Sequence, residues 1–268
     1  MTIPEQQSAV HAPHIPLTEY YRTEEDRPAF LRGIFDDTAA DYDRIEAMLA
    51  WGTGSRYRRD ALVRAGLKPG MKVLDVGVGT GLVAAQACLL VGDPALVTGI
   101  DPSAGMLAAS KLPKTMVLME GRAESLPFPD NHFDFLSMGF ALRHISDLGI
   151  AFTEFERVLK PGGLLCVLEI TQARSKFGQW LLKSYMRGII PLLTRFNSRK
   201  AGTATIWRYY WDSIEACVPP HQVMATLGAA HFTQVRRHLE VGIFSEYQAV
   251  KASYQHRPDS RIQNLLTA

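Results

Sequence analysis

The sequence is poor in the features that mark several protein classes. It has only three cysteines, Cys88, Cys166 and Cys217, far apart and in no CxxC pair. That excludes a disulfide framework and leaves them as packing residues, as a reducing compartment allows. Charge of one sign is not in excess: 29 Lys and Arg stand against 27 Asp and Glu, a net charge of +2. So weak a field does not gather a polyanion, and nucleic acid is not an expected partner. No run of about 18 apolar residues occurs, and the first thirty residues lack a basic stretch followed by an apolar one. A cytoplasmic location is the expectation, with peripheral contact to a membrane left open. The chain also has no GxxxxGK[ST], no HExxH and no clustered His/Asp/Glu set, so neither a β,γ-phosphate grip nor a metal site is expected.

What is present is ordinary globular material: 268 residues, 47% hydrophobic and 21% charged, enough for one large core. Pro4, Pro13, Pro16 and Pro28, with the acids Glu24, Glu25 and Asp26, make residues 1–29 an expected tail without regular structure beyond a late helical turn. His11 and His14 fall in that tail and are discounted.

From Lys72 onward the pattern alternates. MKVLDVG, ALVTGID, TMVLME, FDFLSMG and LLCVLEI read as strands, while GLVAAQACLLVG, AGMLAASK and IAFTEFERVLK read as helices, the last stopping at Pro161-Gly162-Gly163. Crossovers of this length join parallel strands and place helices on both faces of an open sheet, which predicts a doubly wound α/β domain. HFTQVRRHLE and VGIFSEYQAV predict a C-terminal hairpin around Val241-Gly242. The roughly sixty residues from Thr171 to His231 are too many for a simple crossover and must build something of their own. Within them Lys176, Gln179, Lys183 and Arg187 fall on one helical strip and Phe177, Leu181, Leu182, Tyr185 and Ile189 on the other, with Pro191 ending or kinking the helix. A plain surface helix and a lid or interfacial helix over a greasy substrate both fit.

The sharpest signal is VLDVGVGTGL at 73–82, where Asp75, Gly77, Gly79 and Gly81 alternate across a strand-to-helix turn. Glycine removes the β-carbon where backbone approaches a ligand. Counted from Gly77, the third glycine of a dinucleotide fingerprint would stand at 82, which is Leu82, so a nicotinamide cofactor is disfavoured. Twenty residues beyond Gly81, at the end of the second strand, Asp101 stands where a carboxylate accepts from two ribose hydroxyls. Nucleoside binding follows.

These residues resemble the class I S-adenosylmethionine-dependent methyltransferases, and within them the ubiquinone/menaquinone C-methyltransferase family. The similarity runs from about Phe35 to Val250 through FDDTAADYD, VLDVGVGTG, IDPSAGML, AESLPFPDNHFD, GFALRHISD and RVLKPGGLLCVLE. It implies a Rossmann-like, seven-stranded, mostly parallel sheet with an antiparallel last strand and a helical insertion after the fifth. It also implies a single domain over 30–268, with a helical cap at 30–70 and a substrate-covering insertion at 171–231. The implied cofactor is S-adenosylmethionine, held by Asp75, Gly77, Gly79, Thr80 and Gly81 at the turn, Asp101, Pro102 and Met106 after the second strand, Arg122 and Ala123 at the adenine, Gly139 near the methyl, and Tyr42 closing over it.

Several positions depart from the family pattern. Arg122 replaces a short Asn or Asp, and lacks an acceptor lone pair for the adenine amino group. Gly139 replaces a serine, His144 an asparagine, Glu46 and Ala50 an Asn and a Ser, and Trp207 a tyrosine, while Tyr209, Ser213 and Ile214 match. The implied chemistry is methyl transfer to a lipophilic phenol or quinol. Arg143 would steady a phenolate, His144 would accept a proton and Tyr209 would orient the substrate. Each has a plainer reading: Arg143 paired with Glu154 or Asp147, His144 bonded to loop backbone, Tyr209 in the core. His132, in Pro-Asp-Asn-His, reads as a solvated turn residue. The other functions left open are C- or O-methylation of another small metabolite, an isoprenoid or aromatic natural product, and a binding protein that has lost turnover. The expected partner is a small hydrophobic molecule, and a homodimer is left open.

Overall fold

A computed structural model describes residues 12–49, 53–173, 175–189 and 202–253. Strands β1 (Val73–Val76), β2 (Val97–Asp101), β3 (Val117–Glu120), β4 (Phe133–Gly139), β5 (Leu159–Ile170), β6 (Phe232–Glu240) and β7 (Phe244–Lys251) form one sheet in the order β3-β2-β1-β4-β5-β7-β6. The first five are mutually parallel and β7 runs antiparallel to both β5 and β6. Every residue of β1 and β2 is buried, as their near-continuous apolar runs require of strands covered on both faces. The chain steps outward from β1 to β3 and returns to β4 beside β1. Strand order therefore reverses between β1 and β4, where such sheets open a crevice at the carboxyl ends of their strands.

Side-chain alternation divides the core. Leu74, Val76, Leu136 and Met138 face α5 (Leu148–Val158) and α8 (Pro220–Ala229) through Phe152, Phe155, Val223 and Leu227. Val73, Phe135, Cys166 and Leu168 face α2 (Gly54–Arg64) and α3 (Leu82–Val91) through Leu62, Ala84 and Ala87. The three cysteines are unpaired, and Cys88 and Cys166 are buried.

A third apolar cluster lies off the sheet, where α1 (Arg27–Leu49) meets α7 (Gly202–Ala216). It corrects the reading of residues 12–26 as a tail. Tyr21 and His14 are buried, the Val218 N–H donates to the Pro13 carbonyl over 2.7 Å, and the Tyr20 hydroxyl donates to Asp212 over 2.5 Å. Proline and acid deny this stretch a helix or a longer ladder, but an isolated antiparallel bridge from His14 to Cys217 and the side chains of Tyr20, Tyr21 and His14 anchor it. Residues 1–11 lie outside the described residues.

The segment at 171–231 also divides otherwise than expected. Its first part holds α6 (Lys176–Ser184), a π-helical turn at Tyr185–Ile189, and α7. Its last part, α8, packs in the sheet layer against α5 and β6 rather than over a substrate. Pro191 is outside the described residues. The expected apolar side is only partly inward: Leu182 and Tyr185 pack against the third cluster, whereas Phe177, Leu181 and Ile189 are 71%, 54% and 49% exposed, and Trp180, which was not assigned to that side, is 61% exposed. Pro161-Gly162-Gly163 is not a turn between α5 and β5 but a bulge inside β5, where pairing with β4 jumps from Phe133↔Leu159 to Phe135↔Leu164. No helix of the described residues is long and apolar enough to cross a membrane.

Candidate active site

The crevice between β1 and β4 opens into a cavity of about 1210 Å³, its open mouth included. One wall is the turn after β1. Gly77 has φ +67°, and a β-carbon there would stand 2.6 Å from that of Ala141, so only glycine lets this bend close. Its N–H and that of Val78 donate to the Ile100 carbonyl over 2.8 and 3.0 Å. Gly81, with φ +99°, caps α3 against Leu112 and does not line the cavity.

At the tip of β2, Asp101 accepts from the Gly79 N–H and the Ser103 N–H, each over 2.8 Å. Burial pushes its carboxyl up to about 6 despite those donors. Burial also pushes Asp75, which accepts from the Ser137 hydroxyl over 2.6 Å, up to about 7. Helix α1 latches onto this wall twice. Asp36 accepts from the Ser103 hydroxyl over 2.5 Å and the Gly105 N–H over 2.9 Å at the start of α4 (Ala104–Ala109), and Asp43 accepts from the Thr80 hydroxyl over 2.5 Å. Both acids lie in FDDTAADYD, a stretch whose sequence alone assigned them no role.

The lining also holds aromatic rings: Phe35, Tyr42, Phe140 and Tyr210, together with His144. Phe140 carries a φ of +60°, unusual for a bulky side chain, and the Arg58 guanidinium lies 5.5 Å from its ring centre. Arg58 pairs in turn with Glu46 over 2.5 Å. Phe35, Phe140 and Tyr210 were not singled out in the sequence. An apolar residue on a helix or strand end looks the same whether it faces core or cavity.

Of the residues expected at a cofactor, Tyr42, Asp75, Gly77, Gly79, Thr80, Asp101, Pro102, Met106, Arg122, Ala123 and Gly139 line the cavity. A β-carbon on Gly139 would run into Val83, which accounts for the missing serine. Arg122 donates to the Ser146 hydroxyl over 2.9 Å and to Glu124 over 3.4 Å, so its charge is already partnered at the rim. Ala50 lies outside the described residues.

The three residues expected to do chemistry separate. Only His144 lines the cavity. Arg143 is buried behind the wall, on the short helical turn Leu142–His144. It pairs there with the fully buried Glu169, donates to the Phe140 carbonyl over 3.0 Å and the Ser213 hydroxyl over 3.2 Å, and lies 5.0 Å from the Tyr210 ring centre. Its partner is thus neither Glu154, which pairs with Arg157, nor Asp147, which caps α5. A guanidinium so engaged is not placed to steady a phenolate directly.

The His144 ring stacks on Tyr209 at 5.6 Å and meets the edge of Phe35 at 5.2 Å. Its Nδ1 lies 3.3 Å from the Tyr209 hydroxyl, not against loop backbone, and its buried Nε2 has no partner among the described residues. Burial, then the charges of Arg143 and Arg27, hold the imidazole well below its ordinary value and keep it neutral. Tyr209 is a core residue, its phenol pushed up to about 12 by burial. His132 is half-buried, 2.5 Å from the Lys72 ammonium.

Comparison with known proteins decides the class. A model of the ubiE/COQ5 methyltransferase family matches residues 22–251. The chain belongs to that family. It is 31% identical over 224 residues to the ubiquinone/menaquinone biosynthesis C-methyltransferase UbiE of Shewanella sp. (strain W3-18-1), covering 81% of this chain and 88% of the relative. It is 32% identical over 218 residues to the protein of that name from Shewanella sediminis, covering 79% and 86%. A SAM-dependent methyltransferase from Aquifex aeolicus superposes with a TM-score of 0.53 at 24% identity, over 73% of this chain and 89% of that one, and shares the fold. This family member is an S-adenosylmethionine-dependent methyltransferase. Its own residues suit that cofactor: a bend a single β-carbon would obstruct faces a buried acid at the tip of β2.

Proposed function

We propose that the protein methylates a ring carbon of a lipophilic phenol or quinol of the ubiquinone and menaquinone precursor type. The observation that carries this reading is the aromatic lining of the cavity: Phe35 and Tyr210 pack on a neutral His144 whose buried Nε2 has no partner among the described residues, and Tyr42 and Phe140 line the same cavity. Apolar rings suit a flat, greasy acceptor and keep water out. In this reading Asp101 takes the ribose hydroxyls, the turn from Gly77 to Thr80 takes the methionine end, and Met106 and Ala123 flank the adenine. Tyr42 on α1 closes over them.

When bound, S-adenosylmethionine supplies a methyl group that is electrophilic by itself. The chain's part is to align the ring carbon with it and to manage one proton. The turn from Gly77 to Thr80 and Asp101 would hold the bound cofactor in line, so that its methyl passes to the ring carbon and the electron pair of the carbon–sulfur bond stays behind. The ring then loses its C–H proton to His144 Nε2. A weakly basic imidazole serves, because regaining aromaticity drives that loss. Arg143 and Tyr209 hold His144 and Tyr210 in place from behind. The cap at 30–70 and the first part of the 171–231 insertion act together as the cover, through α1 and α7.

A greasy acceptor resides in a bilayer, and α6 supports a peripheral contact there. Phe177 and Trp180 stack at 6.0 Å on its exposed side, with Lys176 beside them, the mixture that settles at a membrane surface. The test of the acceptor class is transfer of label from methyl-labelled S-adenosylmethionine by purified protein, given either a prenylated quinol in detergent or a set of water-soluble phenols. Label in the quinol is expected. Turnover of the phenols alone favours methylation of another small metabolite at carbon or oxygen.

A further inference from the structure

Arg27 is the first residue of α1 and its side chain is almost fully enclosed, an uncommon place for a guanidinium. Among the described residues the one carboxylate beside it, Glu24 at 3.2 Å, is itself 38% exposed, so an ion pair alone is a poor reason to bury this charge. Its other contacts converge on the catalytic turn. Nη2 donates to the carbonyl of Arg143 over 2.7 Å, one peptide before His144, and to Nε2 of His14 over 3.0 Å. The direction of the second bond is set by His14 Nδ1, which donates to the Ile15 carbonyl over 2.7 Å and leaves Nε2 as the acceptor. The Arg27 charge also acts on the Tyr209 hydroxyl, the group that meets His144 Nδ1.

We propose that Arg27, braced by His14, is a positioning residue that fixes the His144 ring at the cavity wall. It does so through the backbone that carries the ring, which it holds by the Arg143 carbonyl. The N-terminal stretch thereby becomes part of the transfer site, although none of its described residues before Pro28 lines the cavity. The proposal rests on the reading of His144 as the proton acceptor.

The groups around the ring set the sign of the effect. Arg27 and Phe35 on α1, Arg143 on the turn with Glu169 of β5 behind it, His14 on the N-terminal stretch, and Tyr209 and Tyr210 on α7 surround it. Removing the Arg27 cation makes protonation of His144 easier, so the acid limb of activity moves to higher pH.

The test uses full-length wild type, R27K, R27M and H14A. It records kcat and KM across pH, melting transitions, and the ring nitrogen resonances of His144 in histidine-labelled protein. R27M is expected to fold, to shift those resonances and raise their titration midpoint, and to lose about tenfold or more in kcat, within the span of a general base, with KM for S-adenosylmethionine unchanged. R27K recovers part of each effect. Unmoved His144 resonances in folded R27M overturn the proposal whatever the activity. Should R27M fail to fold, H14A, which removes the brace, decides in the same way: a smaller shift in the same direction supports the proposal and none overturns it. H144A reports on the underlying reading alone. Full kcat in H144A with shifted resonances in R27M leaves the positioning role standing and removes the proton-acceptor role.

Discussion

The backbone N–H of Gly79 donates to the Asp101 carboxylate over 2.8 Å. That bond ties the bend after β1 to the tip of β2, so the two parts of the cofactor cradle, twenty-two residues apart, keep a fixed distance. Ser103 holds the other carboxylate oxygen from the far side, which leaves Asp101 oriented before any ribose arrives.

Asp101→Ala removes that acceptor. It is expected to weaken binding of S-adenosylhomocysteine by about 1–3 kcal/mol, the usual cost of losing hydrogen bonds to an ionised group. Calorimetric titration of both proteins measures it, and equal affinities contradict the assignment.

The same carboxyl gives binding a pH dependence. Burial raises it to about 6, and the ribose hydroxyls donate to its ionised form. Affinity for S-adenosylhomocysteine therefore weakens as pH falls from about 8 to about 5 and the acid takes up its proton. Asp75 titrates in a similar range, so Asp101→Asn separates the two: dependence that vanishes in this variant belongs to Asp101.

Arg143 and Glu169 form a buried ion pair beneath the cavity wall. Glu169→Gln leaves the guanidinium uncompensated and is expected to cost roughly 3–5 kcal/mol of stability, read by urea unfolding. A loss below about 1 kcal/mol contradicts the pairing as described.

On α6, replacing both Phe177 and Trp180 with serine removes mainly exposed aromatic surface. Sedimentation with anionic vesicles is expected to retain less of the double variant than of wild type, while turnover of a detergent-dispersed quinol stays the same. Equal retention argues against α6 as the membrane contact.

The sheet, its crossovers and the glycine turn were legible because each leaves a local mark: apolar runs of strand length, alternate glycines after the first strand, and an acid at the end of the second. The aromatic lining and what braces it were not. Arg143 could not be matched with Glu169, or Arg27 with the Arg143 carbonyl, because these partners lie 26 and 116 residues apart and meet only when β5 and α1 dock. Residues 12–26 were misjudged for a related reason. Composition reports that a stretch forms no ladder, whereas docking by Tyr20, Tyr21 and His14 is decided by the surface that α7 presents.

The most direct test is the position of the transferred carbon. After turnover with ¹³C-methyl S-adenosylmethionine and a prenylated quinol, carbon NMR of the product is expected to show the label bonded to a ring carbon, with the ring hydrogen at that position gone. Label on oxygen, or none transferred by protein that binds the cofactor, contradicts the account.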